Sequence, residues 1–184
     1  MTKRKAEGRR QQAERRTFLI VLALLLVGFV PAIASAQSLV IVVRHAERAD
    51  GGPAAGTGMT GAPADPLLSA AGKARADKLA TMLAESGVKA IYTSEFHRTQ
   101  DTGKPLAVKL GLTVTPVASS DVNVLVKRIK AEHPKDVVLI VGHSNTVPAA
   151  IKAFGGPDVK MADDEYSAIY ILSPATGAMT LIRY

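Results

Sequence analysis

The stretch Val42-Val43-Arg44-His45-Ala46-Glu47 ends a short apolar run, Ser38 to Val43, with an arginine and a histidine side by side. The run is apolar on consecutive rather than alternate positions, which is the signature of a strand buried on both faces of a sheet. A strand of that kind delivers its Arg-His pair to the rim of the sheet, where open α/β folds bind their ligands. Val141-Gly142-His143-Ser144-Asn145 repeats the pattern near the other end of the chain, after the apolar run Val137 to Gly142. Between them Tyr92-Thr93-Ser94-Glu95-Phe96-His97-Arg98-Thr99 ends a third run with another arginine. Three strand ends, each carrying a cation or an imidazole, make an anion site.

The segments between these runs read as helices, so the chain alternates strand and helix as a sheet with crossover helices does. Ser69 stands as the N-cap of a helix whose stripe is Leu79, Met82 and Leu83 and which stops near Gly87. Val88 to Thr93 is a strand. Phe96 to Leu110 is helical, and Gly103 and Pro105 are expected to bend or divide it. Leu112 to Val117 reads as a short strand, and Asp121 to His133 carries Val122, Leu125, Val126 and Ile129 at helical spacing before Pro134. Thr146 to Phe154 is a short helix with Pro148 in its first turn, and Tyr166 to Leu172 with Met179 to Ile182 form a terminal hairpin. Asp50 to Pro66, rich in Gly, Ala and Pro, is a long loop directly after His45 and a candidate lid or specificity segment.

Four motifs in this order resemble those of the histidine phosphatase superfamily, also called phosphoglycerate mutase-like. They are Arg44-His45-Ala46; Leu68-Ser69 with Gly72; Ser94, Arg98 and Thr102; and Gly142-His143. The resemblance runs from about Ser38 to the C-terminus and is to the short phosphatases of branch 1. It implies a three-layer α/β sandwich with a mostly parallel central sheet flanked by helices. It also implies a phosphomonoester hydrolase in which His45 is the nucleophile and forms a covalent phosphohistidine, with no cofactor. Arg44, Arg98 and His143 would then surround the phosphate with positive charge, and the planar fork of arginine suits phosphate better than the point charge of lysine. The start of the helix after Thr93-Ser94 would add backbone N–H groups.

The proton donor is the least legible part. In the mutase-like branch an acidic residue follows the central arginine, and the first carboxylate on a loop or helix start in that stretch is Asp121, 23 residues beyond Arg98. In the acid-phosphatase branch the donor follows the second histidine as His-Asp, but here that position is Ser144. Glu47, two residues after His45, is the other candidate. Each has a plainer reading: Asp121 as a helix N-cap, Glu47 as a partner of Arg44, Arg48 or Arg98. Likewise Arg98 could solvate a surface, His143 satisfy a backbone carbonyl, and Asn145 and Thr146 cap the helix that follows.

Composition narrows the function further. Of the formal net charge of +7, residues 1–36 contribute +5, and the remainder is too weakly basic to argue for nucleic acid. Those 36 residues join a basic stretch, Met1 to Thr17, to an apolar one beginning at Phe18 and ending in Ala34-Ser35-Ala36. They read as a secretory signal peptide or, if uncleaved, a membrane anchor over residues 18–36, placing a domain of residues 37–184 outside the cytoplasm or in the periplasm. The membrane would be met only through that anchor; the partner otherwise is a small phosphomonoester or a phosphoprotein. Cysteine is absent, so no thiolate nucleophile or disulfide exists, and the four histidines lack metal-site spacing, so no metal is expected. Gly142-His143-Ser144-Asn145-Thr146 approaches a serine-hydrolase elbow but lacks the second glycine, and no histidine follows His143. Two readings stay beside the phosphatase: a mutase-type phosphotransferase, and an exported module that binds a phosphorylated ligand without turning it over.

Overall fold

The computed structural model describes residues 38–51 and 65–184. The expected signal peptide or anchor of residues 1–36 and most of the expected loop 50–66 lie outside them. Among the described residues no helix is long and apolar enough to cross a membrane.

Six strands form one sheet: β1 (Leu39–Arg44), β2 (Val88–Thr93), β3 (Val114–Pro116), β4 (Val137–Gly142), β5 (Ala168–Leu172) and β6 (Met179–Arg183). Their order is β3-β2-β4-β1-β5-β6. The four strands β3, β2, β4 and β1 are parallel, while β5 pairs antiparallel with β1 and β6 with β5, which is the terminal hairpin. Four helices cover the sheet: α1 (Ala70–Leu83), α2 (His97–Leu110), α3 (Val122–Glu132) and α4 (Thr146–Ala153).

The consecutive apolar residues of the central strands explain the layering. In β1, Val40 and Val42 point to one face with Val138 and Ile140 of β4, and meet Leu125, Val126 and Ile129 of α3 and Val147 and Ile151 of α4. Ile41 and Val43 point to the other face with Leu139 and Val141, and meet Leu79 and Leu83 of α1 and Leu106 of α2. The result is the expected three-layer α/β sandwich, with each fully buried aliphatic side chain stabilising it by about 1.5–3 kcal/mol. Because β2, β4 and β1 are parallel neighbours, their carboxyl ends open on the same edge.

Local chemistry fixes the helix boundaries. Ser69 accepts a hydrogen bond from the Gly72 N–H at 3.0 Å and starts α1. Gly72 must lack a side chain, since a Cβ there would stand 2.2 Å from the Glu47 carbonyl oxygen. Of the expected bend or division, the division does not occur, and α2 runs undivided through Gly103 and Pro105. Gly103 lets the helix press onto β2, where an added Cβ would lie 3.1 Å from Ile91 Cγ2. Pro105 sits on the half-exposed flank, where losing one N–H does not end the helix. Gly111 ends it in the left-handed conformation, φ +66°. Strand β3 is shorter than its apolar run, and Pro116 is tolerated because β3 is the sheet edge. Asp121 occupies the N-cap position of α3 without making a side-chain cap bond.

Candidate active site

Strand register brings the sequence motifs together. Arg44 of β1 lies opposite Gly142 of β4, and the His45 N–H donates to the Gly142 carbonyl at 2.9 Å. His45 and His143, each one residue past its strand, therefore stand side by side with ring centroids 5.3 Å apart. On the other side of β4, Thr93 of β2 pairs with Val141, which carries Ser94 to His143, with Ser94 Oγ 2.8 Å from Nε2. Arg98, on the first turn of α2, reaches the same point, its Nη2 3.5 Å from His143 Nδ1.

His45 is wholly buried. Its Nδ1 lies 2.8 Å from the Ala46 carbonyl oxygen, which only accepts, so Nδ1 carries the proton. Nε2 is thereby left with its lone pair, and it makes no hydrogen bond among the described residues. Burial is the main reason its pKa falls to about 3; the Ala46 carbonyl opposes the shift, while His143, Arg44 and Arg98 add to it. The ring is a neutral nucleophile at any pH near neutrality. Thr102, one helical turn beyond Arg98, fixes the backbone behind it: its Oγ1 accepts the Ala46 N–H at 3.0 Å and donates to the Arg98 carbonyl.

His143 is also neutral, its pKa drawn to about 4 by burial first and then by Arg98, with Glu95 opposing. A guanidinium can only donate, so Nδ1 accepts from Arg98 and Nε2–H donates to Ser94 Oγ. Ser94 in turn lies 2.8 Å from Thr99 Oγ1, whose hydroxyl is directed to the Phe96 carbonyl. Ser94 and Thr99 thus set the tautomer of His143. The His143 N–H is held in turn by Thr146 Oγ1 at 2.8 Å, which is where that threonine is used; Asn145 makes no side-chain cap bond.

The two motif arginines are placed differently from one another. Arg98 is buried, stacks 4.3 Å above the Phe96 ring and has Nη1 3.5 Å from Asp65. Arg44, also buried, sends Nη1 to the carbonyls of Ala162, Asp163 and Glu165 at 3.1, 2.7 and 3.3 Å, and stacks 4.3 Å from the Tyr166 ring. It clasps the segment 162–166 against the nucleophile strand, with its charge beside the site. Arg48, overlooked in the sequence, is a third buried arginine; it pairs with Asp50, and its charge acts on both Arg98 and Arg44.

Neither proposed acid touches the imidazoles. Glu47 turns away to Arg75 of α1, with contacts of 2.6–2.9 Å, rather than to Arg44, Arg48 or Arg98. Burial pulls its carboxyl upward, but the Arg75 hydrogen bonds outweigh this and hold it below the ordinary value. Asp121 is exposed. At the start of α2 the His97 N–H is taken, because Asp65 accepts it at 2.9 Å and meets His97 Nδ1 at 2.6 Å. No local signal marks these pairings, since Asp65 and Glu47 find partners 28 or more residues away.

Residues 40–121, which carry the first three motifs, match the family model of the histidine phosphatase superfamily, branch 1. Over those residues the chain is similar to the histidine phosphatase superfamily. Comparison with curated proteins gives no match. Among solved structures the chain is similar to mycobacterial glucosyl-3-phosphoglycerate phosphatase, at 16% identity and TM-score 0.60, over 81% of this chain and 98% of that one. It is similar to Bacillus stearothermophilus YhfR, at 16% identity and TM-score 0.62, over 79% and 96% of the two chains. It is also similar to the protein histidine phosphatase SixA, at 18% identity and TM-score 0.57, over 78% and 94%. At these identities the likenesses establish a shared histidine phosphatase fold, and the family supports a phosphatase or phosphotransferase activity.

Proposed function

We propose that the protein is an exported phosphomonoester hydrolase that works through a phosphohistidine at His45. The observation that carries this reading is the His45 Nε2 lone pair, buried and without a hydrogen bond, beside His143 and Arg98. In the first step Nε2 attacks phosphorus in line with the ester oxygen; the N–P bond forms as the P–O bond breaks. Arg98, and the fields of Arg44 and Arg48, stabilise the charge on the three equatorial oxygens. A bound dianion favours the protonated form of His143, so the neutral ring of the free site becomes a donor once phosphate arrives. Water then attacks the phosphohistidine, releasing inorganic phosphate and restoring the lone pair.

The small size of the domain and the leader composition of residues 1–36 support hydrolysis outside the cytoplasm over phosphate transfer within glycolysis. The mature protein would begin at Gln37, which N-terminal sequencing of the secreted form checks.

Acid-labile phosphate should be trapped on the native protein by a phosphodonor and mapped to His45. His45→Ala should lose both label and p-nitrophenyl phosphate turnover, and Arg98→Ala should lose about a hundredfold to a thousandfold in kcat. Normal turnover by a folded His45→Ala protein would remove the reading. Binding of phosphate esters without any label on the native protein would favour a non-catalytic module.

A further inference from the structure

The two imidazoles share an arrangement that phosphate chemistry alone does not require. The His143 ring meets the Phe96 ring edge-on, with centroids 5.4 Å apart, and Arg98 stacks on that same Phe96 at 4.3 Å. The His45 ring lies 6.0 Å from the Tyr166 ring, and Arg44 stacks on that same Tyr166 at 4.3 Å. Each imidazole therefore has its own aromatic neighbour, and Phe96 and Tyr166 are both only half-buried. Phe96 thus borders one imidazole of the pair and Tyr166 the other.

A second observation concerns the proton that an alkoxide needs on leaving. No carboxylate is hydrogen-bonded to either imidazole among the described residues, and the charged groups that act most on His45 are all basic. Glu47 is committed to Arg75, Asp65 to His97, Asp50 to Arg48, Glu165 to Ser167, and Glu95 to the N–H and hydroxyl of Ser119, while Asp163 and Asp164 are exposed on the Arg44 side of the site. The undescribed stretch 52–64 contains no acidic residue, histidine or tyrosine. His143, protonated once the dianion binds, keeps its Nε2–H on Ser94 and gives its Nδ1–H to the phosphoryl oxygens, so the site suits a leaving group that departs without a proton. Phenols qualify, with a pKa of about 10, against about 15.7 for water, the nearest analogue of an aliphatic alcohol.

We propose that this site prefers phosphate esters of aromatic hydroxyls, held by ring contacts between Phe96 and Tyr166. The inference rests on the phosphatase reading above and adds its substrate class. The aryl oxygen leaves with the P–O electron pair as phenoxide, takes a proton from solvent, and leaves phosphate on His45 for water to release.

Three esters separate ring from leaving group: phenyl phosphate has both features, benzyl phosphate has the ring on an aliphatic oxygen, and cyclohexyl phosphate has neither. A phosphotyrosyl peptide assayed beside them tells whether the natural ester is free or on a protein, by which aryl ester has the higher kcat/KM. Phenyl phosphate should exceed benzyl phosphate in kcat by about a hundredfold or more, the usual contribution of a general acid. Benzyl phosphate should in turn have a lower KM than cyclohexyl phosphate. Phe96→Leu and Tyr166→Leu should each shrink that KM difference by about twofold to tenfold, the worth of one aromatic pair. Tyr166→Phe should preserve it. Equal turnover of phenyl and cyclohexyl phosphates with normal labelling of His45, or equal loss in Tyr166→Phe and Tyr166→Leu, would overturn the aryl preference and leave the phosphatase intact. Failure of all esters to label His45 would instead remove the phosphatase reading.

Discussion

Arg75 grips Glu47 from across the gap between α1 and the nucleophile loop, with Nη2 2.6 Å and Nε 2.8 Å from the same carboxylate oxygen. Arg75 also donates to the Tyr184 carbonyl, so one side chain ties the helix, the loop after His45 and the end of the chain together. A carboxylate held this way stays ionised and is a brace, not a proton donor. Glu47→Gln is expected to keep kcat within a few-fold while lowering stability by about 1–2 kcal/mol, the partial exposure of the pair limiting the loss. Urea unfolding beside steady-state kinetics separates the two; a collapse of kcat at unchanged stability would return Glu47 to the chemistry.

Ser94 acts through His143. Ser94→Ala removes the acceptor of the Nε2 proton and leaves a buried N–H unsatisfied, so the ring can rotate or change tautomer. We expect kcat/KM to fall about tenfold, with Ser94→Thr partly restoring it. The Nε2 proton resonance of His143 should shift in the alanine variant, and an unchanged resonance would refute the positioning role.

The depressed pKa values of His45 and His143 predict an acid-side loss of stability. Both rings titrate near 6.5 when unfolded, but near 3 and 4 when folded. Between those values the unfolded chain binds more protons, so stability rises with pH from about 4 to 6.5 and these two groups add no slope above about 7. Denaturation curves at steps between pH 4 and 8 read the slope. It should diminish in His143→Ala, and equal slopes in the two proteins would contradict it.

Gly72→Ala should be far more harmful than its distance from the chemistry suggests. The added Cβ would meet the backbone of Glu47 at 2.2 Å from oxygen and 3.0 Å from nitrogen, and backbone cannot move aside as a side chain can. About 2–3 kcal/mol of stability should be lost. Because Glu47 follows His45 by two residues, activity should fall further than the unfolded fraction explains. A thermal melt with parallel kinetics on the folded protein checks this.

The parts of the fold that could be read along the chain are those whose cause is local. The consecutive aliphatic residues of β1 and β4 announce strands buried on two faces, and Ser69 announces the start of α1. The undivided α2 could not be read locally, because the reason Gly103 is accommodated is its contact with Ile91 of a neighbouring strand. The site divides in the same way. His45, Arg98 and His143 stand at strand ends or a helix start and were legible there, whereas the partners of Glu47, Asp65 and Arg44 depend on which surfaces the sheet order brings together. Phe96 and Tyr166 carried no signal at all, being single aromatic residues in connecting segments until their neighbours were placed.

The stretch that follows the nucleophile is pinned at both ends. Arg48 bridges Leu68, the Ala49 N–H donates to the Leu67 carbonyl, and Asp65 is fastened to the head of α2. Whatever lies between those fastenings is a cassette whose length can change without disturbing the imidazoles, since doubling a loop costs only about 0.6 kcal/mol of closure entropy. New substrate contacts could thus be acquired by insertion there, leaving the catalytic floor untouched.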